Sequence, residues 1–157
     1  PIHANNPHHA VFSVKNGKSA LQNSGFDGIS LRKGEKYDFS AFLRSASGKK
    51  TRLRVEVMSQ DGTPVASATV SVQSTDWQKV SAVMQARDNV AGGYRKITPL
   101  SPATLHLDMV SLFPQQTFKN RKNGMRRDIA QALADLRPRF VRFPGGCVAH
   151  GDGIPNI

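Results

Sequence analysis

Hydrophobic and polar positions alternate along the first two-thirds of the chain. From Lys36 to Arg44, the residues Tyr37, Phe39, Ala41 and Leu43 take every second position. That period puts them on one face of a half-buried strand. Leu53, Val55 and Val57 alternate with Arg52, Arg54 and Glu56, so Glu56 is expected on a solvated face. After the hairpin signal Asp61-Gly62, Val70 and Val72 extend a return strand. Trp77 opens a further strand in which Val80, Ala82 and Met84 share a face, and Leu105, Leu107 and Met109 resume the pattern. Val11–Lys15 is a shorter extended run closed by Asn16-Gly17. Gly25 and Gly28 bracket Phe26-Asp27 ahead of Ile29 and Leu31, and Lys33-Gly34 turns the chain into the Tyr37 strand. Such glycine-containing turns accept positive φ. Residues 87–103, with Gly92-Gly93, Pro99 and Pro102, read as an irregular loop. About seven short strands with regular turn signals predict an antiparallel, jelly-roll-like sandwich.

The period then changes. Met125, Ile129, Leu133 and Leu136 recur at helical spacing, with Asn123 as the expected N-cap and Pro138 as the stop. Arg139–Phe143 follows as a short apolar strand that runs into Pro144-Gly145-Gly146. A helix feeding a strand is α/β grammar, and one such pair cannot bury both its apolar faces. A sandwich over residues 1–117 and a tail over 118–157 that belongs to a larger structure are therefore expected. Alone, the tail is expected to be mobile or to self-associate.

Charge adds one feature. The net charge is +11, and residues 118–142 hold eight basic side chains against Asp128 and Asp135. A cluster of this kind can mark a nucleic-acid surface. No aromatic platform is interleaved with it; the expected partner is acidic protein surface rather than nucleic acid. A basic nucleic-acid-binding protein is the alternative from another class. Mean hydropathy is -0.41, and no apolar run is long enough to span a bilayer, so no membrane association is expected. The start, Pro1 to Asn6, has no charged-then-apolar signal pattern and no initiator Met, which reads as a chain beginning inside a larger protein. Cys147 is a lone cysteine, and the five histidines show no metal-ligand spacing. No metal or cofactor is expected.

Three stretches resemble glycoside hydrolase family 51. Asn6-Pro7-His8, Gly25-Phe26-Asp27-Gly28-Ile29 and Lys33–Phe39 are similar to the carbohydrate-binding-module-like sandwich of many α-L-arabinofuranosidases in that family. Leu107–Pro114 looks like the return from sandwich to barrel. Asn123-Gly124-Met125-Arg126 through Arg142-Phe143-Pro144-Gly145-Gly146-Cys147 resembles the opening of the (β/α)8 barrel. The resemblance implies that Arg142, Gly145, Gly146 and Cys147 line a sugar subsite at the carboxyl end of a barrel strand. General chemistry agrees: barrel sites sit at that end, glycines let the backbone approach a ligand, and Arg offers several fixed donors. It also implies a parent that removes arabinofuranosyl groups from arabinan, arabinoxylan or their oligosaccharides with retention, and favours a secreted or periplasmic setting.

Retention requires two carboxylates roughly 5 Å apart. The chain has two glutamates, Glu35 and Glu56, both in the sandwich, and neither lies in a motif of the family's catalytic pair. No catalytic residue is assigned, and the chain alone is expected to be inactive. A freestanding carbohydrate-binding module is a further alternative. The candidate sugar-stacking aromatics are Tyr94, placed in the glycine-rich loop, Phe42, which points away from Tyr37 and Phe39, and Trp77, whose place at a strand start favours packing.

Overall fold

A computed structural model describes residues 2–3, 5–15 and 19–142; the expected Asn16-Gly17 turn and Gly145, Gly146 and Cys147 lie outside them. Among the described residues the chain forms nine strands: β1 (Ala10–Val14), β2 (Leu21–Asn23), β3 (Ile29–Leu31), β4 (Lys36–Ser45), β5 (Thr51–Met58), β6 (Pro64–Val72), β7 (Gln78–Gln85), β8 (Val90–Pro99) and β9 (Ala103–Pro114). A 3-10 turn (Phe118–Asn120) and one helix, α1 (Arg127–Asp135), follow. The strands make two antiparallel sheets. One runs β1-β9-β4-β7, the other β2-β8-β5-β6, with β3 also paired to β8.

The expected inward faces form the core. Tyr37, Phe39, Ala41 and Leu43 of β4 meet Leu53, Val55 and Val57 of β5, with Met84 and Leu105 between the sheets. The same period fixes register, because a one-residue slip would turn these side chains to water. At the edge of this core Arg32 N–H donates to the Tyr37 hydroxyl (2.8 Å), which donates to Glu35 Oε2 (3.2 Å). Burial raises the Tyr37 pKa above its ordinary value.

Three expectations are corrected. Residues 87–103 are mostly β8 and the start of β9, not a loop. Gly92 (φ 72°) and Gly93 mark close approach instead of a break: a Cβ on Gly93 would lie 2.6 Å from the Met58 carbonyl and 3.1 Å from that of Ile29. Met109 does not share a face with Leu105 and Leu107. The β4–β9 register shifts between Ser40 and Phe42, and Met109, at φ 47°, is turned outward, as a bulge re-aims a side chain. Glu56 is only 9% exposed; on the central strand β5 it is flanked in register by Ser67 and Lys96. The short strand β2, pairing with β8 over three residues, is too brief to show a period.

The tail differs from expectation at both ends. The helix starts at Arg127 with Arg126 as its N-cap, while Asn123 sits at φ 52° in the preceding turn, where Gly124 N–H donates to Arg121 O. Asparagine accepts that left-handed conformation, and here it does so in a turn four residues before the helix begins rather than at the cap position. Its expected role as cap is therefore overturned. The stop holds: Arg137 adopts φ 46° just before Pro138, a left-handed ending followed by proline. Arg139–Arg142 forms no strand among the described residues, and Phe140 and Val141 are exposed. A strand needs a neighbouring strand for its backbone donors and acceptors.

Candidate functional site

The outer face of the β1-β9-β4-β7 sheet gathers most of the polar and aromatic chemistry. Because the odd positions of β4 point inward, Asp38, Ser40, Phe42 and Arg44 point out. Register sets them in rows. Arg44 stands beside His106 of β9 and next to Trp77, Phe42 opposes Asp108 and Lys79, Ser40 opposes Ser111 and Ser81, and Asp38 opposes Phe113 and Val83. Contacts confirm the rows: Ser40 Oγ and Ser111 Oγ are 2.8 Å apart, Lys79 Nζ lies 6.0 Å from the Phe42 ring centroid, and the Arg44 guanidinium lies 5.2 Å from that of Trp77. A groove of about 340 Å³ runs over the serine row, edged by Phe113, Lys122 and Asn123.

Trp77 closes one end of this face. It meets His9 edge-on (5.2 Å between centroids) and His106 likewise (6.4 Å). Trp77 thus packs against both histidines and Arg44. His9 Nε2 and His106 Nδ1 are 2.8 Å apart, and Arg44 Nη2 is 3.2 Å from the same His106 Nδ1. Arginine can only donate, so His106 Nδ1 accepts and His9 Nε2 donates. A proton on His106 Nδ1 would break both bonds. Burial, then the nearby Arg44 and His9, lowers the His106 pKa below its ordinary value.

A folded pKa below the unfolded one means that the unfolded chain binds the proton more readily. The contribution to stability is complete above the unfolded value, about 6.5, and is lost as pH falls below it towards the folded value. The thermal unfolding midpoint is expected to drop between about pH 7.5 and about pH 5.5. His106→Gln should flatten that part of the profile, which differential scanning fluorimetry reads directly.

A second cavity, of about 750 Å³, lies between the sandwich and α1 and is lined by Leu31, Arg32, Tyr37, Asp128 and Gln131 among others. Asp128 Oδ2 accepts from Arg32 Nη2 and Arg126 Nη2, both at 2.7 Å, and Oδ1 accepts from Arg126 Nε and from Ile129 N–H. Hydrogen bonding to Arg126 holds its carboxyl well below the usual carboxylate range. With its oxygens so occupied, Asp128 ties the first turn of α1 to the chain after β3. It is not a free acid or base. Because both partners are exposed, this tie is a weak one.

Among the described residues the structure does not bring Tyr94 together with Phe42 and Trp77. Tyr94 is half-buried in β8 of the opposite sheet, opposite Met58, and not in a loop; β8 continues through the glycine pair. It therefore shares no platform with Phe42 and Trp77. Arg142 is exposed at the end of the described chain, and Gly145, Gly146 and Cys147 lie beyond it. The residues that sequence reasoning passed over are Arg44, Lys79, His9 and His106. The alternation of β4 already carried Arg44's outward direction, but the strand pairings that join it to the histidines are not local information.

Among the described residues no three His, Cys, Asp or Glu side chains are grouped to hold a metal ion, and no helix is long and apolar enough to cross a membrane.

The fold is a β-sandwich of the type seen in carbohydrate-binding modules: a CBM4 structure superposes with a TM-score of 0.50 over 70% of this chain, at 16% identity. The nearer likeness is to whole enzymes, and it shows the chain to be homologous to part of the family-51 α-L-arabinofuranosidases. The arabinose-bound MgGH51 α-L-arabinofuranosidase superposes over 99% of the chain with a TM-score of 0.87 and 29% identity, the match covering 27% of that enzyme. An extracellular exo-α-L-arabinofuranosidase of Streptomyces chartreusis is 38% identical over 133 residues, and α-L-arabinofuranosidase 1 of Arabidopsis thaliana is 30% identical over 144. These alignments take in 84% and 89% of this chain but only 16% and 21% of the relatives. No protein-family model matches the chain.

Proposed function

We propose that this chain serves as the sandwich and the opening helix-strand segment of a retaining α-L-arabinofuranosidase acting on arabinan or arabinoxylan side chains. The observation that carries the reading is the superposition of 99% of the chain on 27% of an arabinofuranosidase. The division at about residue 117 is part of the proposal. β9 ends at Pro114, and after it the described chain has one isolated bridge, Thr117 to Arg126, and otherwise only helical or irregular segments.

Chemistry supports a non-catalytic share of the work. Glu35 is engaged with the Tyr37 hydroxyl, Glu56 is covered within a sheet, and Asp128 is neutralised by two arginines. None is poised beside another carboxylate across open space, as retaining hydrolysis requires. Arg142, Gly145, Gly146 and Cys147 keep their proposed place in the sugar subsite of the longer protein.

Ile129, Leu133 and Leu136 form an exposed apolar stripe on α1, while Ala130 alone on that helix is buried. That stripe is proposed to pack against the rest of the longer protein, and the isolated chain is expected to self-associate through it. Release of arabinose from 4-nitrophenyl α-L-arabinofuranoside and from arabinoxylan tests the reading: the chain should release none, and a longer protein that contains it should release arabinose.

A further inference from the structure

We propose that the outer face of the β1-β9-β4-β7 sheet binds an extended, uncharged polysaccharide chain along the groove over the serine row, which Phe113 edges, and onward over Phe42 in the neighbouring row. The inference takes its ligand class from the carbohydrate reading above and adds the surface and the residues.

Three observations on this face point to such a ligand. Its outward rows from Asp38 to Arg44 extend for about 20 Å along the strand, enough to lie beside several linked sugars and more than a single small molecule needs. The middle row is hydroxyl on all three strands, Ser111, Ser40 and Ser81. Hydroxyls donate and accept, as a polyol's own hydroxyls do. Aromatic rings stand on both sides of that row, Phe113 and Phe42, and the C–H face of a sugar ring is apolar enough to lie on such a ring.

Charge separates this ligand from the obvious rival. The whole chain is at +11, yet this face sets Asp38 and Asp108 among Arg44, Lys79 and Lys122. Asp38, in the groove with Lys79 and Lys122, interrupts the unbroken cationic track that a phosphate or uronate backbone would follow, and a neutral glycan needs no such track. The opposite sheet has Tyr94 but no comparable row of hydroxyls beside a groove of this kind, and so serves as the internal control.

Affinity electrophoresis of the chain, run towards the cathode in gels with and without soluble arabinoxylan, tests the proposal. The expected result is retardation of the wild-type chain, weakened about tenfold by Phe42→Ala, the loss expected of one ring contact. Ser81→Arg, which fills the groove from an exposed position, should weaken it similarly, and Tyr94→Ala should leave it unchanged. Unfolding midpoints of the variants separate loss of binding from loss of fold, since Phe42 and Ser81 both lie outside the core. Retardation that survives both groove substitutions overturns the assignment of this face while leaving glycan binding in place. No retardation of the wild-type chain overturns the proposal outright. Neither result touches the arabinofuranosidase reading, which stands or falls on arabinose release by the longer protein. Retention by an anionic polymer such as heparin with none by arabinoxylan also overturns it, in favour of charge-driven binding.

Discussion

Truncating Phe39 to alanine is expected to cost about 3–5 kcal/mol of folding stability, within reach of the whole stability of a domain this size. Phe39 is 1% exposed and lies among Leu43, Leu53 and Leu105 between the two sheets. Its strand is held on both sides, by Ala82 of β7 and Leu112 of β9, so the backbone cannot close over the void. The cost therefore falls at the high end, where transfer and cavity terms both count in full. Urea unfolding followed by Trp77 fluorescence reads the effect as a lower midpoint at unchanged slope. A loss below about 1 kcal/mol would mean that the two sheets do not enclose this side chain.

The second large effect is expected at Gly28. A Cβ there would lie 2.2 Å from Gly92 Cα and 2.6 Å from Gly92 C, and the residue sits at φ 82°. Both obstacles are backbone, so no side chain can swing aside. Gly28→Ala is expected to lose about 2–5 kcal/mol, from a left-handed conformation and from displacing β8. Gly34 separates the two contributions: it has the same φ of 82° but nothing within 4 Å of a Cβ. Gly34→Ala should therefore lose only the conformational part, about 1–2 kcal/mol. Equal losses at the two glycines would show that the β3–β8 approach is not as close as described.

Those two glycines also show what a single sequence makes legible. Gly34 follows a lysine between two alternating segments, and the turn it makes is visible without any structure. Gly28 was readable as part of a turn, but its contact with Gly92 joins positions 64 residues apart. Nothing local records that meeting. The same reason explains why Gly92-Gly93 read as a loop: a close approach and a break leave the same letters. Inward residues such as Tyr37 to Leu43 were legible because burial imposes a period of two on one strand. The outward site depended on which strand lies beside which. Phe42 was identified by its direction, while its partners Lys79 and Asp108, and Ser111 and His106 in the neighbouring rows, came only with the register. In the tail, helical spacing located α1, but its N-terminus was misplaced because an asparagine suits a left-handed turn as well as a cap.

This chain is proposed to supply sandwich and opening segment to an arabinofuranosidase while the acid/base and nucleophile lie elsewhere. The most direct test is arabinose release from 4-nitrophenyl α-L-arabinofuranoside by two purified samples: the chain alone, and a longer protein that contains it. No release above the uncatalysed background is expected from the chain, and steady turnover is expected from the longer protein. Turnover by the chain would contradict the assignment of catalysis to other residues, and an inert, folded longer protein would contradict the arabinofuranosidase reading itself.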